Sequence, residues 1–232
     1  MKVRIKFSKE GCMKYIGHLD TMRYFQKAIR RAGIDIAYTE GFSPHMIMSF
    51  ANPLGVGLTS DGEYMDIEIR TPISGKEALE RLNAVMAEGM RVLSFRQVED
   101  SKASNAMALV AAADYRVAFR ESCMPEEGWQ ERIGDFMNQD SIVIRKKTKS
   151  KETEMEIRPH ILEMRPDGDG VFLRVSAGSV CNIRPEQVME AFAGFAGFSY
   201  PDTGLLINRM ELYAKRPSGE GFVSLEDLGV EI

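Results

Sequence analysis

The chain opens on strict alternation: Val3, Ile5 and Phe7 are apolar between Lys2, Arg4, Lys6 and Ser8. A period of two predicts a half-buried strand over residues 2–8. From Leu19 to Arg31 the period lengthens. At about 100° per residue, Leu19, Met22, Phe25, Gln26, Ile29 and Ala32 share one arc, and Arg23, Lys27, Arg30 and Arg31 share another. This predicts an amphipathic helix with one basic side, closed by Gly33.

A short strand is expected at Ile34–Tyr38, a turn at Gly41-Phe42-Ser43-Pro44-His45, and a strand at Met46–Ala51. A loop through Pro53, Gly55 and Gly57 precedes another strand at Met65, Ile67 and Ile69. Ser74 with Glu77 three residues on has the capping-box spacing, and Ala78, Leu79, Leu82, Val85 and Met86 supply the apolar stripe of a helix ending near Gly89. Val92–Val98 reads as a strand. Residues 99–113 mix charge, serine and alanine without a clear period, which marks a boundary.

The order then repeats. Tyr115, Val117 and Phe119 alternate as a strand, and Pro125 is placed to open a helix whose Trp129, Ile133, Phe136 and Met137 share a face. Strands follow at Ile142–Ile144 and Val171–Val175. Pro185 opens a helix with Val188, Met189, Phe192 and Phe195 inward, and a last strand runs near Leu205–Leu212. Both halves read β-α-β, connector, β-α-β. The expectation is an α+β protein of tandem ferredoxin-like, or split βαβ, halves with antiparallel sheets. The halves are placed at 1–100 and 114–232, with 101–113 as connector; a single larger α+β sheet would use the same elements.

Composition narrows the function classes. Hydrophobic residues at 44% and charged ones at 28% fall near globular averages, which argues against wholesale disorder or a fibrous repeat. Without an apolar run approaching roughly 18 residues or a signal-peptide core, the expected location is the cytoplasm, away from membranes. The net charge of -4 is unevenly spread: residues 1–50 carry nine Lys/Arg against four Asp/Glu, and residues 141–160 six against three. A polyanion would therefore meet local basic surfaces on an otherwise acidic chain. Lys146 and Lys147 belong to the second of these.

Cys12, Cys123 and Cys181 are too dispersed for a metal knuckle, a CxxC pair or the close cysteine group of an iron–sulfur cluster. No Walker loop, HExxH or GxSxG occurs, so no metal or cofactor is expected. His18 and His45 flank the basic helix and the turn after it. If they converged they could act as general base and general acid on a ribose hydroxyl without a metal. An isolated loop histidine more often orders its turn.

The run Tyr15-Ile16-Gly17-His18-Leu19-Asp20, then Arg23, Ala28-Ile29-Arg30-Arg31-Ala32-Gly33, Tyr38 and Gly41-Phe42-Ser43-Pro44-His45 resembles the signature of the radical-SAM-linked protein family of unknown function. Ser49-Phe50-Ala51, Pro53-Leu54, Val56-Gly57 and Glu63-Tyr64 extend the match over the first 70 or so residues, with Ile157-Arg158-Pro159 and Ile183-Arg184-Pro185 fitting more sparsely later. Gly17 departs from the pattern, which has serine there. The resemblance implies a protein found beside, or fused behind, a radical SAM protein. A looser fold-level similarity is to the tandem ferredoxin-like CRISPR RNA-processing endoribonucleases.

Three expectations follow. The first is a non-catalytic accessory protein that binds RNA, or presents a substrate, to a radical SAM partner. Arg23, Lys27, Arg30 and Arg31 would then contact phosphates, Lys146 and Lys147 would add charge, and Phe42, Ser43 and His45 would meet an unpaired base. The second is a metal-independent endoribonuclease using His18 and His45. The third is a protein-interaction domain whose cations dock an acidic partner.

Overall fold

The computed structural model describes residues 1–147, 152–216 and 218–232, and leaves the side chains of residues 146, 147 and 152 undescribed. In chain order the elements are β1 (Lys2–Lys9), α1 (His18–Arg31), β2 (Met48–Phe50), β3 (Thr59–Glu68), α2 (Gly75–Asn83), β4 (Met90–Gln97), α3 (Ala106–Leu109), β5 (Val110–Phe119), α4 (Arg132–Met137), β6 (Val143–Lys147), β7 (Glu152–Glu156), β8 (Ile161–Asp167), β9 (Gly170–Ser176), α5 (Pro185–Ala196), β10 (Leu205–Lys215) and β11 (Phe222–Ser224). The protein is α+β with mostly antiparallel pairing. One nine-stranded sheet runs β4-β1-β3-β10-β5-β9-β8, with β2 added to β3 and β11 to β10, while β6 and β7 form a separate ribbon.

The local signals act as expected where they are strong. Ser74 Oγ accepts from the Glu77 N–H at 3.2 Å and starts α2. Pro185 stands at the start of α5, where its missing N–H costs nothing, and Gly197 ends that helix at φ +82, a left-handed conformation that only glycine adopts freely. Phe25 and Ile29 of α1 pack with Val3, Ile5 and Phe7 of β1, and Ala78 and Leu82 of α2 join the same core. Burying Phe25 and Ile29 contributes about 1.5–3 kcal/mol each.

A second core gathers Val117, Ile133, Phe136, Leu173, Val188 and Phe192 from β5, α4, β9 and α5. The two halves meet where β10 runs parallel to the start of β3, Asn208 opposite Thr59 and Arg209 opposite Ser60. Gly62 permits this approach, because a Cβ there would lie 2.7 Å from the Met210 carbonyl oxygen.

Several expectations give way. Ile34–Tyr38 makes only isolated bridges, Ile36 to Ile69 and Tyr38 to Met46. β5 begins at Val110, inside the aperiodic stretch, because Ala112 and Ala113 are small enough to be fully buried in mid-sheet. Pro125 opens no helix; Gly128 at φ +85 intervenes and α4 starts at Arg132, still burying Ile133 and Phe136. The strand at 142–144 lies in the β6–β7 ribbon, outside the main sheet. β8, which the alternation did not reveal, pairs with β9 instead. Leu19, placed on the apolar arc of α1, is 59% exposed.

The basic positions of β1 are a larger surprise. Arg4 is only 2% exposed and grips Asp66 of β3, Nε to Oδ1 at 2.8 Å and Nη2 to Oδ2 at 3.1 Å. Lys6 Nζ donates to Glu211 at 2.7 Å and to Glu226 at 3.0 Å. The chain around Ser104 and the C-terminal segment near Leu225 cover this face.

Candidate functional site

Two surfaces are candidate sites: the basic side of α1, and a groove along the seam between the halves. α1 starts without a side-chain cap because Gly17 occupies its N-cap, and Asp20 in the first turn with Arg30 and Arg31 in the last complements the helix dipole. With Phe25, Ala28 and Ile29 committed to the core, Arg23, Lys27, Arg30 and Arg31 are exposed. Arg23 pairs with Asp20 at 3.3 Å, both side chains more than half exposed, a geometry worth little. Arg31 Nη2 donates to the Val85 carbonyl at 3.1 Å. Among the described residues, the side chains of Lys27 and Arg30 have no hydrogen-bond or ion-pair partner.

Phe42 is fully exposed at the tip of the 41–45 turn, with Ser43 and His45 beside it. His45 holds the turn: its backbone N–H donates to Thr39 Oγ1 at 3.1 Å, its Nδ1 shares a hydrogen bond with the same hydroxyl at 3.1 Å, and its carbonyl accepts from the Thr39 N–H at 2.9 Å. His18 instead meets the Phe50 ring edge-on at a centroid distance of 5.2 Å. It borders a void of about 10 Å³ with Lys9, Thr21 and Glu63, room for about one water. Five residue steps of mostly extended chain lead from His45 to Phe50, about 16 Å at strand rise. No hydrogen bond or ring contact joins the two histidines among the described residues. The side chains of Lys146 and Lys147 lie outside those described.

Two further signature residues, Glu63 and Tyr64, bond across the seam. Glu63 accepts from Nε and Nη2 of the buried Arg209, Nε to Oε1 at 2.7 Å, and Arg209 Nη2 also donates to the Asn52 carbonyl at 2.6 Å. Tyr64 donates to Glu211 Oε1 at 2.6 Å. Lys9, 2% exposed, donates to the Ile16 carbonyl at 2.8 Å. Burial pushes the Lys9 ammonium below its ordinary value, Glu63 pulling the other way and Arg209 adding to the fall.

Beside this ionic core opens a groove of about 840 Å³. Lys14, Tyr15, Val56 and Gly57 form its first-half wall; α5 and the chain from Phe198 to Leu205 form the other. Tyr15 is 65% exposed, with the Lys14 ammonium 5.2 Å from its ring centroid. Arg120 Nε donates to the Thr203 carbonyl at 2.8 Å. Arg184 precedes α5, its backbone N–H fixed by Gln187 Oε1 at 3.0 Å. Glu186 and Glu190 lie one helical turn apart, so both reach the groove from α5. Glu186 Oε2 is buried with no hydrogen-bond partner among the described residues. Burial, then the carboxylates of Glu190 and Glu186, push the Tyr200 phenol up to about 12, so it enters the groove protonated.

Lys14, Arg120, Glu186 and Tyr200 were not marked by any sequence motif. Only Tyr15, Val56, Gly57 and Arg184 carried a signal, as parts of the signature.

No curated protein matches the chain. Among solved structures, one described as the crystal structure of a Cbf5-Nop10-Gar1 complex is similar at a TM-score of 0.44 and 12% identity, covering 90% of this chain and 48% of that one. This chain thus spans about half the length of that structure's chain. A family model described as "Uncharacterized protein conserved in bacteria (DUF2344)" matches residues 2–185.

Proposed function

The chain belongs to this family of uncharacterized proteins conserved in bacteria, and from that premise we propose that it is a non-catalytic accessory protein that binds RNA for a partner radical SAM enzyme. One observation carries the RNA reading. α1 spends its apolar side on the core and leaves four cations toward solvent, two of them unpaired among the described residues, on a chain whose net charge is -4. Cations left free on an acidic protein are what phosphate contacts require. The radical SAM partner rests on the signature resemblance. Each half reads as ferredoxin-like, which the strand orders β4-β1-β3-β2 and β10-β5-β9-β8 support. The endoribonuclease reading needs both imidazoles at one ribose, and the distance between Phe50 and His45 disfavours it.

The test is the affinity of 5′-labelled single-stranded RNA over a salt series, for wild type and for Arg23→Glu with Arg30→Glu. Each lost contact lowers the log–log salt slope by about 0.7, so the double variant should be flatter by about 1.4. Equal affinities and slopes in two folded proteins would remove α1 from the interface. Shortening of the RNA by wild type, abolished in His18→Ala, would overturn the non-catalytic reading. Affinity capture with the wild-type chain from native lysate tests the partner, which should be an iron–sulfur radical SAM protein.

A further inference from the structure

We propose that the seam groove binds a single unpaired guanine nucleotide, its base edge on Glu186 and its phosphate on the cations that line the groove. The proposal extends the RNA reading to a second surface but rests on different residues. At about 840 Å³ the groove falls within the range of small-molecule sites and has room for a nucleotide. The chemistry of its lining is specific. A buried carboxylate oxygen without a donor is costly, and Glu186 Oε2 is one among the described residues. It calls for an N–H from whatever enters.

Of the four bases, guanine alone presents two adjacent donors, N1–H and the exocyclic amino group, to the two oxygens of one carboxylate. Adenine would set its N1 acceptor against the carboxylate, and uracil flanks its one donor with two carbonyl oxygens. The aromatic rings of Tyr15 and Tyr200 supply stacking surfaces of the kind that single-strand sites use for unpaired bases. Lys14, Arg120 and Arg184 supply positive charge for a phosphate.

The groove also adjoins α1. A Cβ on Gly17, the residue before the helix, would touch Val56 Cγ2 of the groove wall at 3.9 Å. From there to Arg23 is about 9 Å of helix rise, a distance a few nucleotides span.

The probes are GMP and AMP, followed by oligouridine RNA with and without one guanine. Titration calorimetry should show GMP binding at least tenfold more tightly than AMP. Glu186→Gln should erase that preference, because an amide offers one acceptor where the base needs two. Tyr15→Ala, at an exposed position that threatens no core, should weaken both nucleotides at least fivefold. Guanine preference with both GMP and RNA assigns the chemistry to the nucleotide itself; preference with RNA alone assigns the source to a strand, and either supports the site. Equal binding of GMP and AMP together with no guanine effect in RNA overturns it, as does unchanged preference in Glu186→Gln. Arg23→Glu with Arg30→Glu should leave GMP affinity unaltered, so failure of the α1 interface and failure of the groove are separate results.

Discussion

Arg4→Met tests whether the buried ionic face of β1 ties the molecule together. Methionine keeps the length and apolar volume of the arginine stem but removes every donor. Arg4 makes two hydrogen bonds to Asp66, one to the Leu225 carbonyl at 3.1 Å and one to the Ser104 carbonyl at 2.7 Å. The variant strands a carboxylate that is 2% exposed, leaving it the Ala106 N–H at 2.7 Å and Lys2 at 4.0 Å. Breaking one partner of a buried pair costs about 3–5 kcal/mol, a large part of a typical total of roughly 5–15 kcal/mol.

Removing both partners, Arg4→Met with Asp66→Leu, should recover most of that loss, since the penalty lies in the uncompensated charge. The assay is equilibrium urea unfolding followed by far-ultraviolet circular dichroism and by the fluorescence of Trp129, the one tryptophan, which packs in the core of the second half. Because Arg209, Glu63, Tyr64 and Glu211 bond across the seam, the two signals should shift together although the substitution is in the first half. A loss below about 1 kcal/mol would refute the energetic reasoning. A shift in dichroism with an unmoved Trp129 transition would refute the coupling and favour two independently folding halves divided within residues 99–113.

Two further outcomes are expected. Gly17→Ser should stabilise the protein by roughly 0.5–1 kcal/mol, because the N-cap backbone is already extended at φ -78, a hydroxyl can accept from the first turn, and the unfolded chain loses freedom; a melting temperature unchanged or lowered would contradict this. At Glu226 burial opposes the charge, but Lys6 outweighs it and holds the carboxyl below its ordinary 4.5, while at Lys6 burial is outweighed by Glu211 and Glu226, which raise the ammonium above 10.5. The sign is therefore opposite at the two ends: this cluster's contribution is complete between those values, falls as pH drops below about 4.5 and falls as pH rises beyond 10.5. Urea midpoints measured from pH 3 to pH 11 should show both limbs, and Glu226→Gln should shallow the acid one; an identical acid limb in the variant would exclude Glu226 as its source.

The sequence by itself determined the elements whose identity is written in short-range spacing. The period-two run at Val3, Ile5 and Phe7, the 3.6-residue stripe through Phe25 and Ile29, the Ser74–Glu77 cap and the Pro185 start each act within a few residues, where backbone geometry alone dictates which side chains share a face. It also determined that Arg23, Lys27 and Arg30 lie away from the core, since one side of a helix cannot serve both. Alternation says which residues of β1 point the same way, but not what lies beyond them, so Arg4 read as a half-buried strand's polar position until the 104–106 segment and the C-terminal chain covered it.

Only the tertiary structure decided the parallel pairing of β3 with β10, whose paired residues stand about 150 positions apart, and with it the burial of Glu63 against Arg209. The groove follows from that same pairing. Tyr15, Glu186 and Tyr200 have no mutual spacing to read, because the forces that assemble them are the desolvation of two separate cores and the closing of ion pairs between the halves, and these act through space without regard to distance along the chain.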